Sequence, residues 1–357
     1  MLSRICLVFG TRPEIIKLSP IIKRAKKRNI EIIFTGQHYD YDLGLKFIED
    51  LGLPRPDYKM KLTKNNSAIQ MGEIITKLSK ILPDTRTDTV MVQGDTNTVL
   101  AGAISALKSK IPISHVESGL RSFDWRMPEE HNRILTDHIS ELLFASTDMS
   151  KQNLVNEQVH GKIFVVGNTA IDAIEQNLTI AEKKSSVQID GEFVLLTLHR
   201  AENVDDKKTL SGIMRGIMES GERFVFPVHP RTKKKLYEFG LYTKIKESKN
   251  IVMTNAIGYF DIMMLMKRCN FIVTDSGGIQ EEATSSKIRK KVLVARTSTD
   301  RPEAVKAGFS EIIGTNSYSI RKSICRTAKD SWNYKGISPY GNGKTAEKIL
   351  KITDNFF

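Results

Sequence analysis

Several short polar segments of this sequence carry residues able to move protons or hold anions, and most follow a strand-length apolar run. Asp95 lies in Gly94-Asp95-Thr96, Glu117 in His115-Val116-Glu117-Ser118-Gly119-Leu120-Arg121, and Glu129 in Pro128-Glu129-Glu130-His131-Asn132-Arg133. Carboxylates gathered in a cleft repel one another, which raises their pKa values and suits them to acid–base work near neutral pH. Glu130 reads instead as a charge that favours a helix start. His199, in His199-Arg200-Ala201-Glu202-Asn203, adds an imidazole that titrates near physiological pH, and His229-Pro230-Arg231 follows another apolar run.

The anion-holding segments are of a different type. Gly10-Thr11-Arg12-Pro13-Glu14, with Lys17 a turn later, and Asp275-Ser276-Gly277-Gly278, with Glu282 beyond it, are glycine turns entering helices. Such turns aim backbone N–H groups at a phosphate, and glycine permits its close approach. Arg12, Lys17 and Arg301 (in Arg301-Pro302-Glu303) add positive charge, and Glu282 is placed to accept hydrogen bonds from ribose hydroxyls. No G-x-G-x-x-G follows the first strand and no complete P-loop is present, so NAD or ATP binding by the usual loops is not expected. H-E-x-x-H and paired cysteines are also absent, so neither a metal nor any other cofactor is expected.

The elements that must position these groups are legible from periodicity. Apolar runs at 4–9, 31–35, 89–93, 111–116, 141–145 and 163–166 read as a first set of strands. Those at 193–198, 223–228, 251–254, 271–274, 292–295 and 311–313 read as a second. Helical spacing lies between most of them, as in Ile15, Ile16, Leu18, Ile21 and Ile22 after Pro13, in 129–139, and in a last helix over 344–353. Strands alternating with helices imply parallel sheets covered on both faces, and two sets imply two doubly wound, Rossmann-like α/β domains. The junction falls in the helix and polar stretch 170–190. In such sheets ligands bind at the carboxyl ends of the strands, where the polar segments above begin.

Composition narrows the function classes. The 357 residues suit two domains, and 40% hydrophobic with 27% charged residues is a globular balance. No apolar run approaches the roughly 20 residues of a membrane helix, and the first one reads as a strand, not a signal peptide. Cys6, Cys269 and Cys325 are few and scattered, which suits free thiols in a reducing compartment; a cytoplasmic protein without membrane contact is expected. The net charge of +13 comes from short clusters such as Lys26-Lys27-Arg28 and Lys233-Lys234-Lys235, without aromatic interleaving or a nucleic-acid motif. A small anionic substrate is expected, not nucleic acid.

Taken in order, the motifs resemble those of the non-hydrolysing UDP-N-acetylglucosamine 2-epimerases. The resemblance runs from Phe9-Gly10-Thr11-Arg12-Pro13-Glu14 through Gln37-His38, Gln93 to Thr96, His115 to Arg121, Pro128 to Arg133, Gly167-Asn168-Thr169, His199-Arg200, Asp275 to Glu282 and Arg301-Pro302-Glu303 to Pro339-Tyr340-Gly341-Asn342-Gly343. Gln37-His38-Tyr39-Asp40 and His199-Arg200-Ala201-Glu202-Asn203 are closest to the archaeal and related bacterial forms. It implies a GT-B-like fold with Rossmann-like domains facing across a cleft: 1–169, which carries the carboxylates, and 170–343, which binds UDP. Residues 344–357 are then expected to return to the first domain, and the chain to form a homodimer. By motif, Asp95, Glu117, Glu129 and His199 are the catalytic candidates. Arg12, Lys17, Ser276, Gly277, Gly278, Glu282 and Arg301 are the UDP-sugar binders, and Gln37, His38 and His229 are candidates for an allosteric or additional substrate site. Two departures are visible: Ser118 stands where the family usually has alanine, and 285–291 replaces a Leu-Gly-x-Pro turn.

The implied reaction interconverts UDP-N-acetylglucosamine and UDP-N-acetylmannosamine for polysaccharide or glycan synthesis. The C2 proton lies beside no carbonyl carbon, so direct abstraction is too slow, and no dinucleotide fingerprint supports oxidation at C3. Elimination of UDP to 2-acetamidoglucal, followed by re-addition, is the route left. The competing readings are a hydrolysing epimerase releasing N-acetylmannosamine, an epimerase of 2,3-diacetamido uronic acid sugar nucleotides, a GT-B glycosyltransferase needing an acceptor, and a sugar-nucleotide sensor. Gly-Thr-Arg-Pro-Glu, where the uronic acid enzymes carry Gly-Ala-Arg-Pro-Gln, argues against the second.

Overall fold

The computed structural model describes residues 2–25, 30–37, 41–63, 66–330, 332 and 334–357, without the side chains of 41–43. His38 and the Lys26-Lys27-Arg28 cluster lie outside the described residues. The chain divides into two compact units, Met1–Ala173 with Tyr340–Phe357, and Ile174–Pro339.

The first unit is built on β1 (Ile5–Phe9), β2 (Ile30–Phe34), β3 (Tyr58–Lys59), β4 (Thr89–Gln93), β5 (Ile113–Ser118), β6 (Leu142–Ala145) and β7 (Lys162–Val165). These strands pair in parallel in the order β3-β2-β1-β4-β5-β6-β7. Every residue of β1 and β4 is buried, as strands covered on both faces require. On one face Cys6, Val8, Ile33, Val90 and Val92 join Ile74 and Leu78 of the helix Ser67–Ile81 and Val99, Ala101, Ala103 and Ala106 of the helix Asn97–Lys108. The short β3 and the helix Ser67–Ile81 have no counterpart among the expected elements, and β5 runs to Ser118, past the expected 116.

The terminal helix Thr345–Phe356 belongs to this unit. Lys344 gives it no side-chain cap; Asp172 does so from a distance, accepting from the Thr345 N–H (3.1 Å) and the Ala346 N–H (2.9 Å). Gly343-Lys344-Thr345 is the P-loop tripeptide, but Ser338 stands where that motif needs its first glycine, and the Asp172 carboxylate already accepts from the Thr345 and Ala346 N–H groups.

The second unit has β8 (Val194–Thr197), β9 (Phe224–Pro227), β10 (Ile251–Thr254), β11 (Ile272–Thr274), β12 (Val292–Val294) and β13 (Ser310–Ile312), parallel in the order β10-β9-β8-β11-β12-β13. Leu210, Ile213, Met214 and Ile217 recur at helical spacing in Lys207–Glu219 and bury one stripe against Val194, Leu196, Phe224 and Phe226. Both sheets are therefore doubly wound. The chain reverses direction of growth between β1 and β4 in one and between β8 and β11 in the other, and the crevice at such a reversal is where these folds bind ligands.

Candidate active site

At the β1/β4 reversal the Gly10-Thr11 turn meets the Gly94-Asp95-Thr96 turn. Close approach explains Gly10: a Cβ there would collide with the hydroxyls of Thr35 and Thr98. Glu14, at the third position of the helix Arg12–Arg24, accepts from the N–H groups of Gly10 (2.5 Å) and Thr11 (3.1 Å) and from the Thr96 hydroxyl. One buried carboxyl thus ties the two turns together. Burial pushes it up to about 7, against the hydrogen bonds of Thr96, Gly10 and Thr11, which pull it down.

Glu117 sits where β5 slips register against β6, between Val116 and Ser118. Its φ of 69° is left-handed, a region that costs a non-glycine residue about 1 kcal/mol or more. Three donors converge on one of its oxygens: Lys17 Nζ at 2.5 Å, Gln93 Nε2 at 3.2 Å and Asn168 Nδ2 at 3.3 Å. Asp95 is held by the Arg133 guanidinium, which also binds Glu130 at 2.8 Å. Glu130 in turn accepts from the N–H groups of Ser122 and Phe123, so it is a buried brace for the loop before its helix, not merely a helix-dipole charge. The carboxylates expected to repel one another are instead matched to separate cations, Lys17 and Arg133. Glu129 is exposed in the first turn of the helix Pro128–His138 and forms no side-chain hydrogen bond among the described residues.

Arg12 is exposed, its guanidinium 4.7 Å from the Phe47 ring centroid. Gln37 has an internal role: its side-chain oxygen accepts from the Thr98 N–H (2.8 Å) and hydroxyl (2.7 Å).

In the second unit, the β8/β11 reversal places His199 beside Asp275. The buried Asp275 carboxylate accepts from the backbone N–H groups of His199 (3.1 Å) and Arg200 (3.0 Å) and from Asn203 Nδ2 (3.1 Å). His199 Nδ1 lies 3.6 Å from that carboxylate, and the His229 ring is 5.5 Å away. Burial, helped by the charge of Arg200, holds His199 below the ordinary histidine value despite Asp275. Its imidazole is therefore neutral and able to take a proton at neutral pH. His229 caps its own helix through the Arg231 N–H at 3.2 Å.

Ser276 caps the helix Gly277–Glu282, and the N–H groups of Gly277 and Gly278 lie in its first turn, without intrahelical partners. A Cβ on Gly278 would meet nothing nearer than the Ser276 hydroxyl at 3.9 Å, so this side of the turn is open to close approach. Glu282 is half-buried in the same helix. Arg301 is buried, its guanidinium paired with Glu281 and 3.0 Å from Asp300. Arg296 also binds Asp300 at 3.0 Å, and these arginines with Arg200 hold the Asp300 carboxyl far below the usual carboxylate range. Arg301 is thus first a structural cation.

Comparison with known proteins decides what these clusters belong to. A family model described as UDP-N-acetylglucosamine 2-epimerase matches residues 21–354. The chain belongs to the UDP-N-acetylglucosamine 2-epimerase family. It is 47% identical to the UDP-N-acetylglucosamine 2-epimerase of Methanocaldococcus jannaschii, over 98% of each chain. A crystal structure of the Methanocaldococcus jannaschii enzyme in complex with UDP-GlcNAc and UDP superposes with a TM-score of 0.87 at 45% identity, covering 98% of this chain and 99% of that one. The Neisseria meningitidis enzyme bound to UDP-GlcNAc gives 0.84 at 32% identity, covering 98% and 99%. Within this epimerase fold, the buried partners Glu14, His115, Asp137, Asp275 and Asp300 were not singled out from the sequence. Of these, Glu14, His115 and Asp275 lie inside the motifs given above, which was the available signal; Asp137 and Asp300 carried none. No group of three or more His, Cys, Asp or Glu that could hold a metal occurs among the described residues, and no described helix is long and apolar enough to cross a membrane.

Proposed function

We propose that this chain interconverts UDP-N-acetylglucosamine and UDP-N-acetylmannosamine without net hydrolysis. The observation that carries the reading is Glu117: a carboxylate held at a strained strand end, with Lys17, Gln93 and Asn168 converging on it at the sheet reversal of an epimerase-family fold. In the first step a base takes the C2 proton while the C1–O bond breaks. Its electron pair leaves with UDP, and 2-acetamidoglucal is formed. In the second, C2 is protonated from the opposite face and a UDP oxygen closes on C1, so atoms and charge balance. Asp95, Glu117, Glu129 and His199 are the proton-transfer groups. Arg12, Lys17, Ser276, Gly277, Gly278, Glu282 and Arg301 bind the nucleotide sugar, with the N–H groups of Gly277 and Gly278 turned to the diphosphate. Gln37, His38 and His229 contribute to a further UDP-sugar contact. A cytoplasmic homodimer that supplies a precursor for polysaccharide synthesis completes the reading, supported by the family and by three free cysteines.

The test is turnover of UDP-N-acetylglucosamine in deuterium oxide followed by proton NMR. Deuterium is expected at C2 of UDP-N-acetylmannosamine. Protium retained at C2 excludes the elimination route, and free N-acetylmannosamine with UDP as the main products excludes the non-hydrolysing one.

A further inference from the structure

His115 is fully buried in β5, and both of its ring nitrogens face acceptors. Nδ1 lies 2.7 Å from Asp137 Oδ1, and Nε2 lies 2.8 Å from the Gly94 carbonyl oxygen. A carbonyl oxygen has no proton to give, so Nε2 must donate. Asp137 answers Nδ1, and its other oxygen takes the Gly119 N–H at 3.1 Å and an Arg121 guanidinium nitrogen at 2.7 Å. Burial pushes the Asp137 carboxyl up, but His115 and Arg121 more than offset this and leave it below the usual carboxylate value. Both ring nitrogens are thus engaged in a buried site, where losing either partner would strand a polar atom. Glu157 binds Arg121 at 2.7 and 2.6 Å, with His138 at the rim 3.7 Å from Glu157.

What this pair holds is the proton-transfer apparatus. Gly94, at φ 85°, immediately precedes Asp95; Gly119, at φ 77°, follows the left-handed Glu117 by two residues. A strained residue such as Glu117 persists only when its surroundings over-determine it. The helix Pro128–His138 that carries Asp137 also sends Asn132 to the Asp95 carbonyl (2.9 Å) and Arg133 to its carboxylate. We propose that His115 and Asp137 are the positioning pair of the reaction: His115 grips the Gly94 carbonyl directly and the Gly119 N–H through Asp137, fixing the turns that present Asp95 and Glu117. Neither residue touches substrate.

The kinetic consequence rests on the epimerase reading; the hydrogen bonds of the ring do not. Nitrogen-15 NMR of histidine-labelled protein, with His115 assigned by the signal lost in His115→Asn, reads the ring directly. A protonated Nε2 whose proton exchanges slowly with solvent is expected, and an unprotonated or rapidly exchanging Nε2 overturns the proposal. For Asp137→Asn, kcat per UDP-binding site is expected to fall about 100-fold, the effect of displacing catalytic groups by about an ångström, while KM and UDP affinity stay within about threefold. A folded variant with kcat within about twofold of the parent overturns it. Should the variant not fold, the ring nitrogens of the parent protein decide. A parent protein that binds UDP yet leaves UDP-N-acetylglucosamine unchanged would refute the epimerase reading, with the Nε2 proton still measurable.

Discussion

Replacing Glu14 by glutamine removes a buried charge while keeping nearly the same shape. The side chain is 2% exposed, and burial lifts its carboxyl from 4.5 to about 7. Because the folded value lies above the unfolded one, the folded chain holds this proton more tightly. The resulting stabilisation is complete below about pH 4.5 and is lost as pH rises through about 7. The interval corresponds to about 3 kcal/mol. Glu14→Gln cannot titrate, so the stability of the parent protein relative to the variant should fall by about 3 kcal/mol between about pH 4.5 and about pH 8. The difference between the two proteins cancels the other titrating groups. Native-state hydrogen exchange of the β1 and β4 amides reads the unit that carries Glu14, apart from the unit Ile174–Pro339. A difference that stays flat with pH would mean that the Gly10, Thr11 and Thr96 donors outweigh burial and the carboxylate is ionised throughout, which refutes the reasoning.

Glu117→Gln keeps the side-chain size and should fold, yet lose about 100- to 10,000-fold in turnover of UDP-N-acetylglucosamine, checked by proton NMR; near-parental turnover removes Glu117 from the chemistry. Gly119→Ala adds a Cβ at φ 77° against the Ser150 carbonyl oxygen, with Leu154 Cγ at 2.8 Å. It should cost about 2–4 kcal/mol in denaturant unfolding, and an unchanged midpoint would show that the turn relaxes freely. Arg301→Met removes the buried cation paired with Glu281 and one of the arginines around Asp300, so a loss of about 3–5 kcal/mol in the second unit is expected. Reduced UDP affinity with an unchanged melting temperature would make Arg301 a ligand contact alone.

The amino-acid sequence by itself determined the strand and helix types, the division into two parallel-sheet units, and the polar segments that end the strands. These are encoded locally: uninterrupted apolar runs, helical spacing, and the Gly10, Gly94, Gly119 and Gly277-Gly278 turns each act within a few residues. The tertiary structure alone decided which side chain answers which. Lys17 and Glu117 are 100 residues apart, Asp95 and Arg133 38, and Asp172 caps a helix 173 residues further on. Such partnerships depend on the order β3-β2-β1-β4-β5, which sets β1, β4 and β5 side by side and which periodicity does not contain. Packing in the second unit likewise gives the UDP-binding candidate Arg301 buried partners in Glu281 and Asp300. The first sheet's order makes His115, one histidine among seven in the sequence, the centre of a buried hydrogen-bonded cluster. A buried charge takes its role from whatever the fold brings within hydrogen-bonding distance, and that distance is set by packing of the whole chain.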